Sequence, residues 1–362
     1  MSRVAVVGGG PVGLASAWRC AQRGHTVTVY DPGRAGPTGA WSVAAGMLAP
    51  VAEAYFGERE LTALLLHAGA GWPAFAAELG AVADIGYRAE GTLVAALTAD
   101  DLAEAHRLIR YQAELGLPIE ALRGPAVREL APLLASRVRG GAFAAADHCV
   151  DPRRLVAALR QVAESAGVVS VDALVVDLYT IDADVVVVAA GCGSAALTGL
   201  PVRPVKGQVL RLRAPDGQPP GFRHMIRGFV DGRRVYLAPR SDGEVVVGAT
   251  AEERGDAVPT AGGAFELLRA AIDLLPELSE YALVEVGVGH RPGTPDNGPI
   301  LGWLPSSGPR VLAATGHYRH GILLAPATAD AVATMIDDGP PAAAWAPYRP
   351  GRFTQRKEDA HA

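Results

Sequence analysis

The second to thirty-first residues constrain this chain more than any other stretch. Residues 4–31 read VAVVGGGPVGLASAWRCAQRGHTVTVYD. The apolar run Val4–Val7 has strand character, Gly8–Gly13 is a tight turn, Leu14–Arg23 is compatible with a helix closed by Gly24, and Thr26–Tyr30 is a second β-branched run ending at Asp31. Gly8, Gly10 and Gly13 therefore fall as GxGxxG between a strand and a helix. Gly8 permits the turn, Gly10 lets the backbone approach a pyrophosphate, and Gly13 lets helix and strand pack closely. The helix start offers N–H groups and a positive partial charge to the anion. Asp31 is placed to bond ribose hydroxyls and disfavours a 2′-phosphate. The expectation is a βαβ dinucleotide site that does not take NADP.

The rest of the chain predicts two interleaved sheets. Asp151-Pro152 reads as an N-cap and N1 pair opening a helix to about Ala166. Val168–Val176 and Asp184–Ala190 read as strands, the second buried on both faces as in a parallel sheet. Residues 205–213, 233–238 and 244–250 alternate between Asp-Gly turns at 216–217, 231–232 and 242–243, which predicts antiparallel pairing. Gly321–Met335 is the last long helix. The Pro-, Ala- and Arg-rich tail after Gly339 is expected to be poorly ordered. The fold class is thus α/β: a Rossmann-type cofactor domain (1–80, 151–200, 291–340) threaded through a substrate domain with an antiparallel sheet (81–150, 201–290), followed by a tail (341–362). At 362 residues the chain is long enough for two cores.

A formal net charge of −5 with no basic stripe argues against nucleic acid as a partner. No run approaches the length of a membrane span. Cys20, Cys149 and Cys192 form no CxxC pair, so neither a disulfide framework nor a metal site is expected, and a cytoplasmic location suits them.

Four further strings carry a family resemblance: WSVAAGMLAPVAE (41–53), VKGQ (205–208), HRPGTPDNGPILG (290–302) and GHYRHGILLAPATA (316–329). Together with the N-terminal loop they resemble the D-amino-acid-oxidase-like flavoproteins, and among these the glycine oxidases of thiazole (thiamine) biosynthesis. The resemblance implies non-covalent FAD. Pro11 and Val12 would lie at the phosphates, and Asp31 and Pro32 at the ribose. Ala40, Trp41, Ala45, Gly46 and Met47 would line the flavin side, and Val175 would meet the adenine. His317, Tyr318, Arg319, His320, Gly321, Ile322 and Leu323 would wrap the isoalloxazine. The dipole of the last helix would face the flavin edge where negative charge grows on reduction, with Pro326 in its first turn. Arg291 is the implied carboxylate clamp and Tyr236 the implied second contact to the same carboxylate.

Other residues keep two readings. Arg319 either covers the cofactor or closes a structural salt bridge. His317 and His320 invite a general-base reading, against which stands that of backbone-bonding histidines, His320 standing where the family's string has Asn. Lys206 either approaches the flavin or faces solvent. Cys192 is read as a small buried residue. The implied activity is oxidation of glycine or a related small amine. Hydride would pass to the flavin, the imine would hydrolyse, and oxygen would become hydrogen peroxide. Two alternatives are a dehydrogenase using another acceptor and a flavin-binding protein without turnover. Oligomerisation is possible on the same resemblance, with no interface legible.

Overall fold

The structure is a computed structural model describing residues 1–33, 39–305 and 310–353. In chain order it runs β1 (Arg3–Val7), α1 (Pro11–Gln22), β2 (Thr26–Tyr30), β3 (Met47–Leu48), α2 (Arg59–Gly80), β4 (Thr92–Ala96) and α3 (Ala99–Glu114). Next come β5 (Glu120–Arg123), α4 (Gly124–Leu130), β6 (Gly140–Ala144), β7 (His148–Cys149), α5 (Pro152–Ser165), β8 (Val169–Val171) and β9 (Val185–Val188). The remainder is α6 (Ser194–Thr198), β10 (Arg203–Arg213), β11 (Met225–Val230), β12 (Arg233–Pro239), β13 (Glu244–Gly248), α7 (Ala261–Leu274), β14 (Ala282–Gly293), β15 (Ile300–Leu304), β16 (Arg310–Thr315) and α8 (Gly321–Ile336).

Two large sheets draw their strands alternately from the sequence. The first has the order β15-β16-β9-β1-β2-β8 and is parallel except for β15. Its apolar runs are buried on both faces. Val4, Val6, Val185 and Val187 meet α1, α2, α5 and α8, while Ala5, Val7, Val186 and Val188 pack with Leu178 and Ile181 on the other side. Gly13 makes the α1 contact possible, since a Cβ there would sit 1.9 Å from the Gly8 carbonyl oxygen.

The second sheet has the order β14-β10-β13-β12-β11-β4-β6-β5. Alternation divides it cleanly. Leu210, Leu212, Ile226, Val235, Leu237, Val245 and Val247 pack under α7, leaving Val209, Tyr236, Ala238 and Val246 on the opposite face, toward the first sheet. Pairing is antiparallel apart from β4 with β11, which are parallel. The Asp231-Gly232 turn joins β11 to β12 with both residues at positive φ (49° and 75°), the conformation a two-residue hairpin needs.

The structure corrects three expectations. The strand expected over 168–176 is only Val169–Val171, and Leu174 and Val176 that follow are largely exposed. Pro326 lies at the sixth position of α8, past the first turn; its missing N–H takes away the helical donor for the Ile322 carbonyl. The tail is ordered as far as it is described. Trp345 and Tyr348 are 2% and 5% exposed in the main core, and Arg352 donates to Asp296 at 2.8 and 3.1 Å. Composition hid this because two aromatics among prolines and alanines suffice to anchor the segment. Residues 354–362 of the tail lie outside the described residues. Among the described residues no helix is long and apolar enough to cross a membrane.

Burial of Trp345 generates a prediction. Trp345→Ala should lower the free energy of urea unfolding by about 3–5 kcal/mol, the range for truncating a core tryptophan. A loss below about 1 kcal/mol would show that the tail packs without stabilising.

Candidate active site

Between the sheets lies a cavity of about 1260 Å³, larger than the roughly 300–1,000 Å³ of a pocket for one small ligand. One end is the β1–α1 turn. Gly8 has φ +113° and sits against Ala189, whose carbonyl oxygen would be 2.4 Å from a Cβ. Gly10 caps α1 without a side chain, so the first-turn N–H groups open into the cavity with no protein oxygen from a capping residue. A Cβ on Gly10 would make only an ordinary 3.6 Å contact with Trp41 Cδ1, but Gly10 lines the cavity, so a side chain there would take up its space. The Asp31 carboxylate accepts from the Gly9 N–H and, at 2.7 Å, from the Gly33 N–H, which fixes it at the rim. Pro32, Val175 and the exposed Leu174 and Val176 complete this end.

The middle is lined by residues 39–47. Three arginines from the neighbouring elements pin the segment through its carbonyls. Arg153 Nε and Arg211 donate to Ser42 O at 2.8 and 3.0 Å, and Arg240 donates to Ala45 O at 2.5 Å. Gly46 takes φ +76° where a Cβ would be 1.9 Å from Val150 O.

Opposite, β16 leads through Gly316 (φ +69°) and Tyr318 (φ +49°) into α8. His320 caps α8 without a side-chain bond, so a second helix start, with Gly321 and Ile322, opens onto the same cavity. His317 is fully buried, and desolvation, aided by His320, pushes its pKa down to about 3. Its Nε2 lies 3.0 Å from Thr328 Oγ1, whose own proton goes to Leu324 O at 2.8 Å. The hydroxyl can therefore only accept, which assigns the proton to Nε2 and leaves Nδ1 as an acceptor.

The third wall is the second sheet. Tyr236 lies across Gly248, where a Cβ would be 2.2 Å from its hydroxyl oxygen. Burial raises the Tyr236 pKa, so it stays a phenol donor. The Arg291 guanidinium lies across Gly207, where a Cβ would be 2.5 Å from Nη1, and Nη1 donates to Thr250 O at 3.1 Å. Among the described residues Arg291 has no carboxylate partner, so most of its donors remain available in the cavity.

Of the residues expected at the site, Gly8, Gly10, Pro11, Val12, Asp31, Pro32, Ala40, Trp41, Ala45, Gly46, Met47, Val175, Tyr236, Arg291, His317, Tyr318, Arg319, His320, Gly321 and Ile322 line this one cavity. Gly13 and Leu323 do not; Gly13 is buried against the strand and Leu323 in the core, its carbonyl accepting from Trp72 Nε1 at 2.8 Å. Arg319 closes no salt bridge among the described residues; it stacks on Tyr318, 5.0 Å from the ring centroid. Cys192 lines the cavity rather than the core, its thiol pushed up to about 11 by desolvation. Lys206 neither approaches the cavity nor faces solvent: it is fully buried.

Sequence reasoning missed a charged cluster at the same end. Arg227, opposite Tyr236 in register, donates to Glu53 at 2.5 Å, and His320 Nδ1 is 3.7 Å from the other Glu53 oxygen. Desolvation is the largest influence on Glu53 and opposes ionisation, but Arg227 and His320 outweigh it and hold its pKa down. Below it Asp147, raised to about 7 by burial, accepts from the Val51 and Ala52 N–H groups at 3.0 and 3.1 Å and fixes the loop bearing Glu53. Glu53 ends a string singled out from the sequence; its partner is 174 residues away.

The cavity fits FAD on its own features: two uncapped helix starts, glycines where a Cβ would collide or intrude, and a volume exceeding one small ligand. Comparison with known proteins agrees. A family model described as FAD dependent oxidoreductase matches residues 3–335. The chain is 35% identical over 352 residues to the bifunctional protein ThiO/ThiG of Trichormus variabilis, covering 92% of this chain and 52% of that one. It thus spans about half the length of such bifunctional relatives. It is 32% identical over 369 residues to the glycine oxidase of Geobacillus kaustophilus, covering 95% of each. The crystal structure of that enzyme superposes with a TM-score of 0.87, covering 97% of this chain and 99% of the other. A putative thiamine biosynthesis oxidoreductase of Rhizobium etli is 35% identical over 339 residues, 92% of this chain and 96% of that one.

Held neutral in the fold, His317 makes stability depend on pH. Its folded pKa is about 3 against an ordinary 6.5, so below 6.5 the unfolded chain binds a proton the folded one does not. As pH falls from 6.5 toward 3, wild type should lose about 1.4 kcal/mol per pH unit relative to His317→Gln, measured by urea unfolding. Parallel pH profiles for the two proteins would contradict it.

Proposed function

The chain belongs to the FAD dependent oxidoreductase family, and from that premise we propose that it oxidises glycine or a closely related small amino acid. The observation that carries the reading is Arg291: a guanidinium without a carboxylate partner among the described residues, in the same cavity as the phenol of Tyr236 and the start of α8. A planar fork of donors in a partly dry cavity is matched by a substrate carboxylate. Tyr236, kept protonated, donates to the same group.

Gly8, Gly10, Pro11, Val12 and Asp31 would hold the pyrophosphate and ribose of FAD. Residues 40–47 and 317–322 would hold the flavin end. When bound, FAD supplies a two-electron acceptor for the hydride of the amine-bearing carbon. The protein's own work is to hold the carboxylate so that this carbon is fixed, and to exclude water around it. With Arg227 matched to Glu53 and Arg234 to Glu104, Arg291 is the cavity-lining arginine of the second sheet left without a carboxylate among the described residues. No strong general base is needed for a substrate whose amine enters neutral.

The imine product would hydrolyse or pass on toward thiazole assembly; a place in thiamine biosynthesis is supported by the name of the Rhizobium etli relative. Oxygen is proposed as the final acceptor, giving hydrogen peroxide. The division into a cofactor domain (1–80, 151–200, 291–340) and a substrate domain (81–150, 201–290) belongs to the same reading, as does a cytoplasmic setting for three cysteines found as free thiols.

The test is anaerobic titration of the FAD-loaded protein with glycine, sarcosine and D-alanine, followed by admission of air. Glycine or sarcosine should bleach the flavin, and air should restore it within seconds with release of peroxide. Arg291→Ala should lower kcat/KM for the amino acid by about 10²–10³-fold, the loss of a charged two-point contact of about 3–4 kcal/mol. A flavin that stays oxidised with all three amines overturns the reading; one that stays reduced for minutes in air assigns another acceptor.

A further inference from the structure

Lys206 is one of two lysines in the chain, and no part of the function above uses it. Its side chain is fully buried in β10. A buried ammonium must be compensated, and here Nζ donates to Asp256 Oδ1 at 2.6 Å and Val258 O at 2.7 Å. Both partners lie in the 249–260 connection between β13 and α7. That connection is a wall of the cavity, lined by Ala249, Thr250, Ala251 and Ala257.

The neighbours of Lys206 tie down the same connection. Its own backbone bridges to Glu252, N–H to O at 2.8 Å and O to N–H at 2.9 Å. The Gln208 N–H donates to Thr250 Oγ1 at 2.9 Å, and Gln208 Oε1 accepts from the Thr260 N–H at 2.7 Å. From β14, His290 Nε2 lies 2.9 Å from Asp256 O. The connection in turn presents the Thr250 carbonyl, the single protein acceptor of Arg291 among the described residues. Beneath the guanidinium is Gly207, between Lys206 and Gln208, and β10 pairs Val205 directly with Arg291.

We infer that Lys206, through its ion pair with Asp256, is a positioning residue for substrate: it holds the 249–260 connection so that Thr250 O fixes Arg291 across Gly207 in the orientation that receives a carboxylate. The inference rests on the reading of Arg291 as the carboxylate clamp. It gives each residue of the VKGQ segment a part in one device. Val205 sets the strand register, Lys206 and Gln208 anchor the wall, and Gly207 leaves room for the guanidinium. Lysine suits the place because the site offers two acceptors converging on a point, where the planar fork of an arginine would need more room.

The experiment compares Lys206→Met, Asp256→Asn, the double variant and Arg291→Ala as FAD-loaded proteins. Glycolate, a carboxylate with no amine to oxidise, is the probe, and its Kd is read from perturbation of the flavin absorption spectrum. FAD affinity is measured in parallel by fluorescence. Each single variant of the pair should raise the glycolate Kd about tenfold or more, as misplacement of a binding group does, with FAD affinity unchanged. With glycine, KM should rise while kcat stays close to wild type. The double variant should be no worse than the more affected single one, since both break one contact. Asp256 is partly exposed at 36%, so Asp256→Asn decides the matter if Lys206→Met fails to fold. Loss of glycolate binding in Arg291→Ala with wild-type Kd in Asp256→Asn would overturn the role of Lys206 while sparing the clamp. Wild-type Kd in Arg291→Ala would overturn the clamp and the inference together.

Discussion

An α-helix begins with N–H groups that its own carbonyls do not reach, and this structure leaves two such beginnings uncapped on one cavity. α1 starts at Gly10 after β1, and α8 starts at His320 after β16. The two strands run parallel in one sheet with β9 between them, so both helices begin at the carboxyl ends of the strands, on the same side of the sheet. Two positive helix ends facing one space constrain everything around them. The space must take a ligand with anionic or carbonyl oxygen at two separated places. Neighbouring segments must then be held by contacts that do not use those N–H groups. The arginines 153, 211 and 240 do so for residues 40–46 by bonding carbonyls from behind.

The second sheet meets a different demand. Its cavity face carries charge, yet a charge taken from water needs a partner. On that face Arg227 has Glu53, and on the opposite face Lys206 has Asp256, both in direct contact. Arg291 breaks the pattern, with a backbone carbonyl as its one acceptor among the described residues. The glycines under Arg291 and Tyr236 follow from the same geometry. On a pleated sheet a side chain can lie flat over its neighbour only where that neighbour has no Cβ, and Gly207 and Gly248 provide those places.

Much of this was legible in the sequence where physics is local. The β1–α1–β2 unit follows from apolar runs and glycine spacing, and the helix opened by Asp151-Pro152 starts where its cap and proline place it, Asp151 accepting from two N–H groups. The cavity-lining residues of 40–47 and 316–322 were named through resemblance. What escaped depends on distant partners. Nothing near Glu53 announces Arg227, and nothing in VKGQ says that Lys206 turns inward to a connection fifty residues on. The tail misled for the opposite reason: its composition suits a loose segment, but Trp345 and Tyr348 find a place in the core that only the assembled fold provides.

The central claim is that Arg291, without a carboxylate partner among the described residues, receives the carboxylate of a small amino acid beside the start of α8. It is tested most directly by a crystal structure of the FAD-loaded protein soaked with glycolate. The account predicts two hydrogen bonds of about 2.7–2.9 Å from the Arg291 guanidinium to the carboxylate, with the Tyr236 hydroxyl donating to one of its oxygens. A carboxylate bound instead by Arg319 or Arg227, with Arg291 in its unliganded contact to Thr250 alone, would contradict it.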